Sequence, residues 1–352
     1  MIVEQFLSGF HYGDAVGNSV MRFHRFLLKK GIESRIVSIT TDEKLEADSI
    51  NLSEYKETKD SIKIYHFAIS SPLTDFFLRA SGKKIIVYHN ITPSHFFIDY
   101  SHSFVRSTSN GRKELKKLSG VFDISVADSE YNAKELKELG FKNVKVFPIM
   151  VDIDLYRDNF SRGIEEYFNS NKKNIIFVGR VSPNKKIEDL LKFFSLYREL
   201  TFTPAKLIIA GDINGVPLYY HSIRDYADSL QLKNDELYFT GHIPFDELIS
   251  IYKTADLFLS MSEHEGFCLP LIESMIFNIP VVAFSAGAVE ETLKSGGIVF
   301  KKKEFDKLAF LVEKVFNDKE LNLKLKELSQ DRIDEYRNES NPEKLFSIIS
   351  EE

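Results

Sequence analysis

The chain has 352 residues, 43% of them apolar and 28% charged, with a formal net charge of −6 and one cysteine. That length exceeds what a single hydrophobic core usually organises, and the composition is that of an ordinary globular protein rather than a disordered or fibrous one. The acidic balance speaks against a nucleic-acid partner, the lone Cys268 leaves no internal disulfide framework and suits a reducing cytoplasm, and no window approaches the roughly 18 uninterrupted apolar residues of a membrane span.

In chain order, MIVEQFLSGFHYGD lacks the basic start of a signal peptide and reads as a folded strand, Ile2–Leu7. Strands follow at Ser34–Ile39, Ile62–His66, Lys84–Tyr88, Ile124–Ala127 and Val144–Phe147, with helices such as Asn18–Lys30 and Tyr131–Leu139 between them. Gly31 and Gly140 stand where a left-handed cap ends each of those helices. The basic run NGRKELKKL at 110–118 is a solvated helix face, with contact to an anionic membrane surface as the alternative. PIMVDIDLYRDN at 148–159 interrupts both periodicities and marks a joint. Beyond it the rhythm resumes with strands at Asn174–Val178, Lys206–Ala210, Leu237–Phe239, Leu257–Ser260 and Val281–Ala283, and helices including Ile187–Tyr197, Tyr219–Leu230, Phe245–Lys253 and Pro270–Phe277. The last segment, Arg332–Ser350, is helical in pattern, charged, and broken at Asn341–Pro342.

Unalternating β-branched strands separated by helices predict parallel sheets covered on both faces. The fold class is therefore α/β, with two doubly wound domains. We place an N-terminal domain at 1–155, a second at 156–330, and a C-terminal helix at 331–352. Ligands of such sheets bind beyond the carboxyl ends of the strands, so two facing sheets would leave a cleft for the chemistry.

Four clusters lie at strand ends or helix starts. Glu265 falls in the loop MSEHEGF and Glu273 in the first turns of the following helix, with Gly266 permitting close backbone approach. Free N–H groups there suit a diphosphate, and a carboxylate can accept two hydroxyl hydrogen bonds from a sugar diol. Two acidic residues at a helix start are also a common match to the helix dipole. In FVGRVSPNKKIEDLL, Arg180 and Lys185 follow the strand ending at Gly179, as cations able to neutralise a leaving diphosphate. Gly13 and Gly17 flank a helix start in SGFHYGDAVGNS, and His89 ends a very apolar strand in IIVYHNITP. Asp152-Ile-Asp154 sits in the joint and is not read as a metal motif; no His/Cys cluster has metal spacing.

The stretch 239–284, FTGHIPFDELISIYKTADLFLSMSEHEGFCLPLIESMIFNIPVVAF, resembles the donor-binding region of the group 1, or family-four, retaining glycosyltransferases of the glycosyltransferase B fold. Glu265 and Glu273 match its Glu-x7-Glu acidic pair. Arg180 and Lys185 match its paired phosphate-contacting cations, with Lys186 where a glycine is usual. Cys268 also replaces a usual glycine; as a nucleophile it lacks an activating histidine, and a small buried residue is the better reading. The phrases YGD (12–14) and HNITP (89–93) resemble a bacterial subset linked to surface polysaccharide.

The resemblance implies an acceptor-binding first domain and a nucleotide-sugar-binding second domain, with the last helix crossing back to the first. It implies Glu273 on the nucleotide ribose, and Glu265 and His89 by the transferred sugar. It places Gly13, Asp14, Gly179, Gly211, Gly266, Phe267 and Glu291 around the donor. His66, at another strand end of the first domain, is read from that position as lining the acceptor side. The partners are then a UDP- or GDP-sugar and a saccharide or lipid-linked acceptor, with no cofactor and no metal. The location is cytoplasmic, with contact to the inner face of the membrane as an option. Alternatives are another enzyme of the fold, such as a nucleotide-sugar epimerase or a phosphorylase, or a silent nucleotide-sugar-binding subunit.

Overall fold

The structure is a computed structural model and describes residues 1–11, 13–158 and 171–351. Tyr12 of the Tyr-Gly-Asp phrase and Asn159 at the end of the expected joint lie outside the described residues. Two parallel sheets are present, each wound in both directions.

The first sheet has strands β1 (Ile2–Phe10), β2 (Glu33–Thr41), β3 (Ile50–Asn51), β4 (Ser61–Phe67), β5 (Lys83–Tyr88), β6 (Ile124–Ala127) and β7 (Val144–Val146), in the order β3-β2-β1-β4-β5-β6-β7. Helices α1 (Ala15–Lys29), α2 (Leu73–Arg79), α3 (His102–Leu118) and α4 (Glu130–Glu138) make the crossovers. The second sheet has β8 (Lys173–Val178), β9 (Ala205–Ala210), β10 (Leu237–Gly241), β11 (Leu257–Ser260), β12 (Val281–Phe284) and β13 (Ile298–Phe300), in the order β10-β9-β8-β11-β12-β13. Its helices are α5 (Ile153–Asp158), α6 (Ile187–Leu200), α7 (Pro217–Ser229), α8 (Phe245–Thr254), α9 (Leu269–Ile276), α10 (Val289–Leu293) and α11 (Phe305–Asn317). The long α12 (Lys319–Glu339) and the final α13 (Pro342–Ser350) close the chain.

By contacts the chain divides into one unit of Met1–His95, Ser103–Asp152 and Tyr336–Glu352, and another of Phe96–His102 and Ile153–Glu335. In the first unit, both faces of the sheet are apolar because alternate residues of the central strands go to opposite sides. Phe6, Tyr65, Phe67 and Tyr88 gather with Phe77, Leu115 and Leu118 on one side. Val3, Ile64, Ile85 and Val87 gather with Phe23 and Leu27 of α1 on the other. Leu345 and Ile349 of α13 join that second cluster, so the last helix is part of the first unit's core. Asn341 caps α13 by accepting from the Glu343 N–H at 3.0 Å, and Pro342 fits its first turn.

Three local differences from the sequence expectations have simple causes. The edge strands β3 and β13 are two and three residues long, too short to leave a periodic signal. The stretch 148–159 holds the short helix α5, anchored by buried Ile153 and Tyr156. The run 110–118 is not a uniformly solvated face: Leu115 and Leu118 are buried, and Arg112 turns in to Glu135 and to the Ile91 carbonyl. Among the described residues no helix is long and apolar enough to cross a membrane.

Candidate active site

Doubly wound sheets reverse strand order at a switch point, and loops leaving the two central strands diverge there. In the second sheet that point lies between β8 and β11. The loop after β8 carries Gly179, Arg180 and Lys185, and the loop after β11 carries Glu265, Gly266 and Phe267. The two loops are tied together. The Glu263 N–H donates to the Asn184 carbonyl at 2.8 Å, and Asn184 Nδ2 donates to the His264 carbonyl at 3.2 Å. The result is an ion pair in which Lys185 Nζ lies 2.7 Å from both Glu265 oxygens. The Glu265 side chain is 7% exposed and that of Lys185 20%. Arg180 is exposed, its stem lies against Gly215, and it makes no ion pair with another described residue.

Glycines permit the tight backbone approaches behind this pair. Gly211, with φ +145°, follows β9 so closely beside Gly179 that a Cβ would overlap the Gly179 carbonyl and press on the Arg180 N–H. Gly287, with φ +55°, touches the backbone of Glu265 in the same way, and the neighbouring Ala288 N–H donates to the Glu265 carbonyl at 3.0 Å. Lys186 and Cys268 occupy the left-handed region at φ 53° and 70°. Both stand where the resembling family has glycine, and a side chain there costs about 1–2 kcal/mol. Lys186 begins α6, and Cys268 begins α9. Burial opposes the charge on Lys186, but Glu188 outweighs it and the ammonium is held above its ordinary range. Burial pushes the Cys268 thiol well up, so it is no thiolate nucleophile.

Glu273 lies in α9, buried, and is not bonded to Lys185 or Arg180. Its two oxygens accept from Tyr156 Oη at 2.5 Å and Tyr252 Oη at 2.6 Å. Burial raises its carboxyl above the usual range, against the two phenols that favour the anion. The Thr292 hydroxyl of α10 donates to the Phe267 carbonyl at 2.6 Å, which ties the loop to the helix bearing Glu291. Lys303 joins Asp189 at 2.6 Å and Glu263 at 2.8 Å. Neither Lys303 nor the two tyrosines carries a sequence signal, because each acts from a distant element.

In the first unit, Gly13 is exposed and Asp14 caps α1, accepting from the Gly17 N–H at 3.1 Å. Asp152 pairs with Arg22 at 3.2 Å. His89 follows β5, and its Nδ1 lies 2.8 Å from Asp128 Oδ2 beyond β6. Its Nε2 lies 3.1 Å from Nδ1 of His66 on β4, whose own Nε2 is 3.2 Å from Gln5 Oε1 on β1. Burial pushes the His66 imidazole well below its ordinary range, with His89 adding to the effect. Burial raises the Asp128 carboxyl, with His89 opposing. The backbone after His89 is held too. Asn90 takes φ 72°, a conformation Asn tolerates, and donates to Asn132 Oδ1 at 2.7 Å. The Ile91 N–H donates to Tyr88 Oη at 3.2 Å. Asp128 and Gln5 were not legible as partners in the sequence.

Residues 164–332 match the family described as Glycosyl transferases group 1. Among curated proteins the chain is 32% identical over 165 residues to the uncharacterized glycosyltransferase MJ1607 of Methanocaldococcus jannaschii, covering 46% of this chain and 39% of that one. It is 26% identical over 152 residues to the serotype-specific mannosyltransferase WbdA of Escherichia coli, covering 43% of this chain and 18% of that one. The chain thus spans well under half the length of these relatives. Among solved structures, Anabaena Alr3699/HepE in complex with UDP-glucose superposes with a TM-score of 0.75 at 16% identity, over 99% of this chain and 98% of that one. That likeness concerns the fold. Residues 164–332 are thus similar to the group 1 glycosyltransferases, and the two doubly wound α/β units are those of the glycosyltransferase B fold.

Proposed function

We propose that the protein transfers a hexosyl group from a nucleoside-diphosphate sugar to a saccharide or lipid-linked saccharide, with retention at the anomeric carbon. The observation that carries this reading is the Lys185–Glu265 pair, with exposed Arg180 on the same loop, at the switch point of the sheet within the family-matching segment. Lys185 and Arg180 would meet the diphosphate, whose charge grows as its bond to the sugar breaks. As Lys185 turns to phosphate, Glu265 is released to accept from sugar hydroxyls. Glu273 would take the ribose, sharing its remaining lone pairs with the diol while the tyrosines hold its orientation. His89 would border the transferred sugar.

In bond terms, the C1–O bond to the diphosphate breaks and a bond from the acceptor oxygen to C1 forms on the same face. The acceptor proton passes to an oxygen of the leaving phosphate, so no side-chain nucleophile and no metal are invoked. The donor is a UDP- or GDP-sugar; the UDP-glucose bound by the Anabaena structure supports the first. The serotype-specific name of the E. coli relative supports a surface polysaccharide as the destination. The protein acts in the cytoplasm, where contact with the inner face of the membrane would serve a lipid-linked acceptor.

A thermal-shift screen with nucleoside diphosphates, followed by turnover of the sugar nucleotides with a mixed acceptor panel, tests the reading. Transfer with retained configuration supports it. Tight donor binding with no turnover for any acceptor would replace it with a silent binding subunit, and interconversion of free sugar nucleotides with an epimerase.

A further inference from the structure

We infer that Gln5 and His66 are positioning residues for His89: they dictate which ring nitrogens carry protons and thereby place a second proton on the His89–Asp128 pair. The four side chains come from β1, β4 and the ends of β5 and β6, which are neighbours in the sheet, so they form one chain across it.

The direction of that chain is set at its far end. Gln5 Nε2 donates to the Val20 carbonyl at 3.2 Å, so the amide oxygen is the atom turned to His66. An amide oxygen only accepts, hence His66 Nε2 carries the proton. His66 is buried and resists a second proton, so its Nδ1 is bare. His89 Nε2 lies 3.1 Å away, and two facing lone pairs there would repel, so His89 Nε2 must donate. The 2.8 Å contact of His89 Nδ1 with Asp128 then requires a further proton between them. Held as imidazolium and carboxylate, or as imidazole and carboxylic acid, the pair is neutral overall. An ordinary Asp–His pair has Nδ1–H and a bare Nε2, one proton fewer.

Among the described residues, the titratable groups facing His89 are His66 from β4 and Asp128 beyond β6, while β1 contributes the uncharged Gln5. The rings of His66 and His89 are stacked at 5.3 Å and 12°. With both nitrogens engaged, His89 offers a substrate a fixed ring edge rather than a rotating donor. What that edge faces rests on the transferase reading; the proton placement does not.

Long-range proton–nitrogen spectra of the full chain labelled with ¹⁵N-histidine read the arrangement directly near pH 7. Signals are assigned by their loss in His89→Gln and His66→Asn. The expected result is His66 protonated at Nε2 and bare at Nδ1, with His89 protonated at Nε2. A bare Nε2 on His89 overturns the inference. Turnover supplies the second readout. His66→Asn keeps an amide oxygen where Nδ1 stood and retains the alkaline limb of kcat. His66→Leu and Gln5→Leu remove the acceptor or free the tautomer, and move that limb down by about one pH unit. Identical limbs in all these proteins overturn the positioning role; Gln5→Leu serves should His66→Leu fail to fold. Absence of any turnover would count against the proposed function, while the spectra still decide the proton arrangement.

Discussion

The candidate groups of the second unit and those of the first are assembled in opposite ways. Arg180, Lys185 and Glu265 sit on two loops at one switch point, and the charges of Lys185 and Glu265 cancel locally. His89 sits in a relay of hydrogen bonds whose members are spread over four strands. An ion pair between loops can be opened by an arriving anion, because the ammonium exchanges one oxyanion for another. A relay buried in a sheet cannot be opened cheaply, since every group left behind would lose its partner. On the proposed function, the second unit would respond to a charged ligand while the first holds a group still.

Breaking the responsive half should have the largest effect. Lys185→Ala removes both the proposed phosphate cation and the partner of Glu265, and we expect kcat to fall roughly 10²–10³-fold in steady-state kinetics, with donor KM moving less. Unchanged kinetics would dissolve the contrast. Gly211→Ala forces the Gly179–Arg180 backbone away from its neighbour, and should cost on the order of 3 kcal/mol in urea unfolding.

Glu273→Ala leaves two tyrosine hydroxyls without their acceptor. It should cost about 2 kcal/mol and weaken donor binding in a titration with nucleoside diphosphate. A pH series sharpens the same point. The Glu273 carboxyl is raised in the folded state, so the native protein binds the extra proton from the ordinary value of 4.5 up to the raised one. Its contribution to stability is full below 4.5 and is lost as pH rises through that window; Glu273→Gln should remove the slope. Lys186→Gly relieves a left-handed lysine and should gain up to about 1 kcal/mol in the same unfolding experiment, less whatever its pairing with Glu188 contributes. A further effect belongs to the first unit. The His66 imidazole is depressed, so its contribution is present above the ordinary value of 6.5 and falls away as pH drops below it. Wild type should therefore lose more stability than His66→Asn between pH 7 and 5, measured by thermal unfolding.

The same contrast separates what was legible in the sequence from what was not. Glu265, Glu273, Arg180 and Lys185 stand in two compact phrases, and the glycines around them mark strand ends by their backbone needs. The long central strands were legible because a parallel sheet covered on both faces leaves unbroken apolar runs. The edge strands β3 and β13 left no such trace, nor did helix α5, a few residues held by its tertiary contacts.

By itself, then, the sequence determined the alternation of strands and helices, the two doubly wound units and the positions of the charged phrases. These depend on local periodicity and on residues close together in the chain. Only the tertiary structure decided the partners: Glu265 with Lys185, Glu273 with Tyr156 and Tyr252, and His89 with Asp128 and His66. Strand order is the physical reason. It sets which loop ends become neighbours, and those neighbours lie 21 to 117 residues apart along the chain, a separation that no local pattern records.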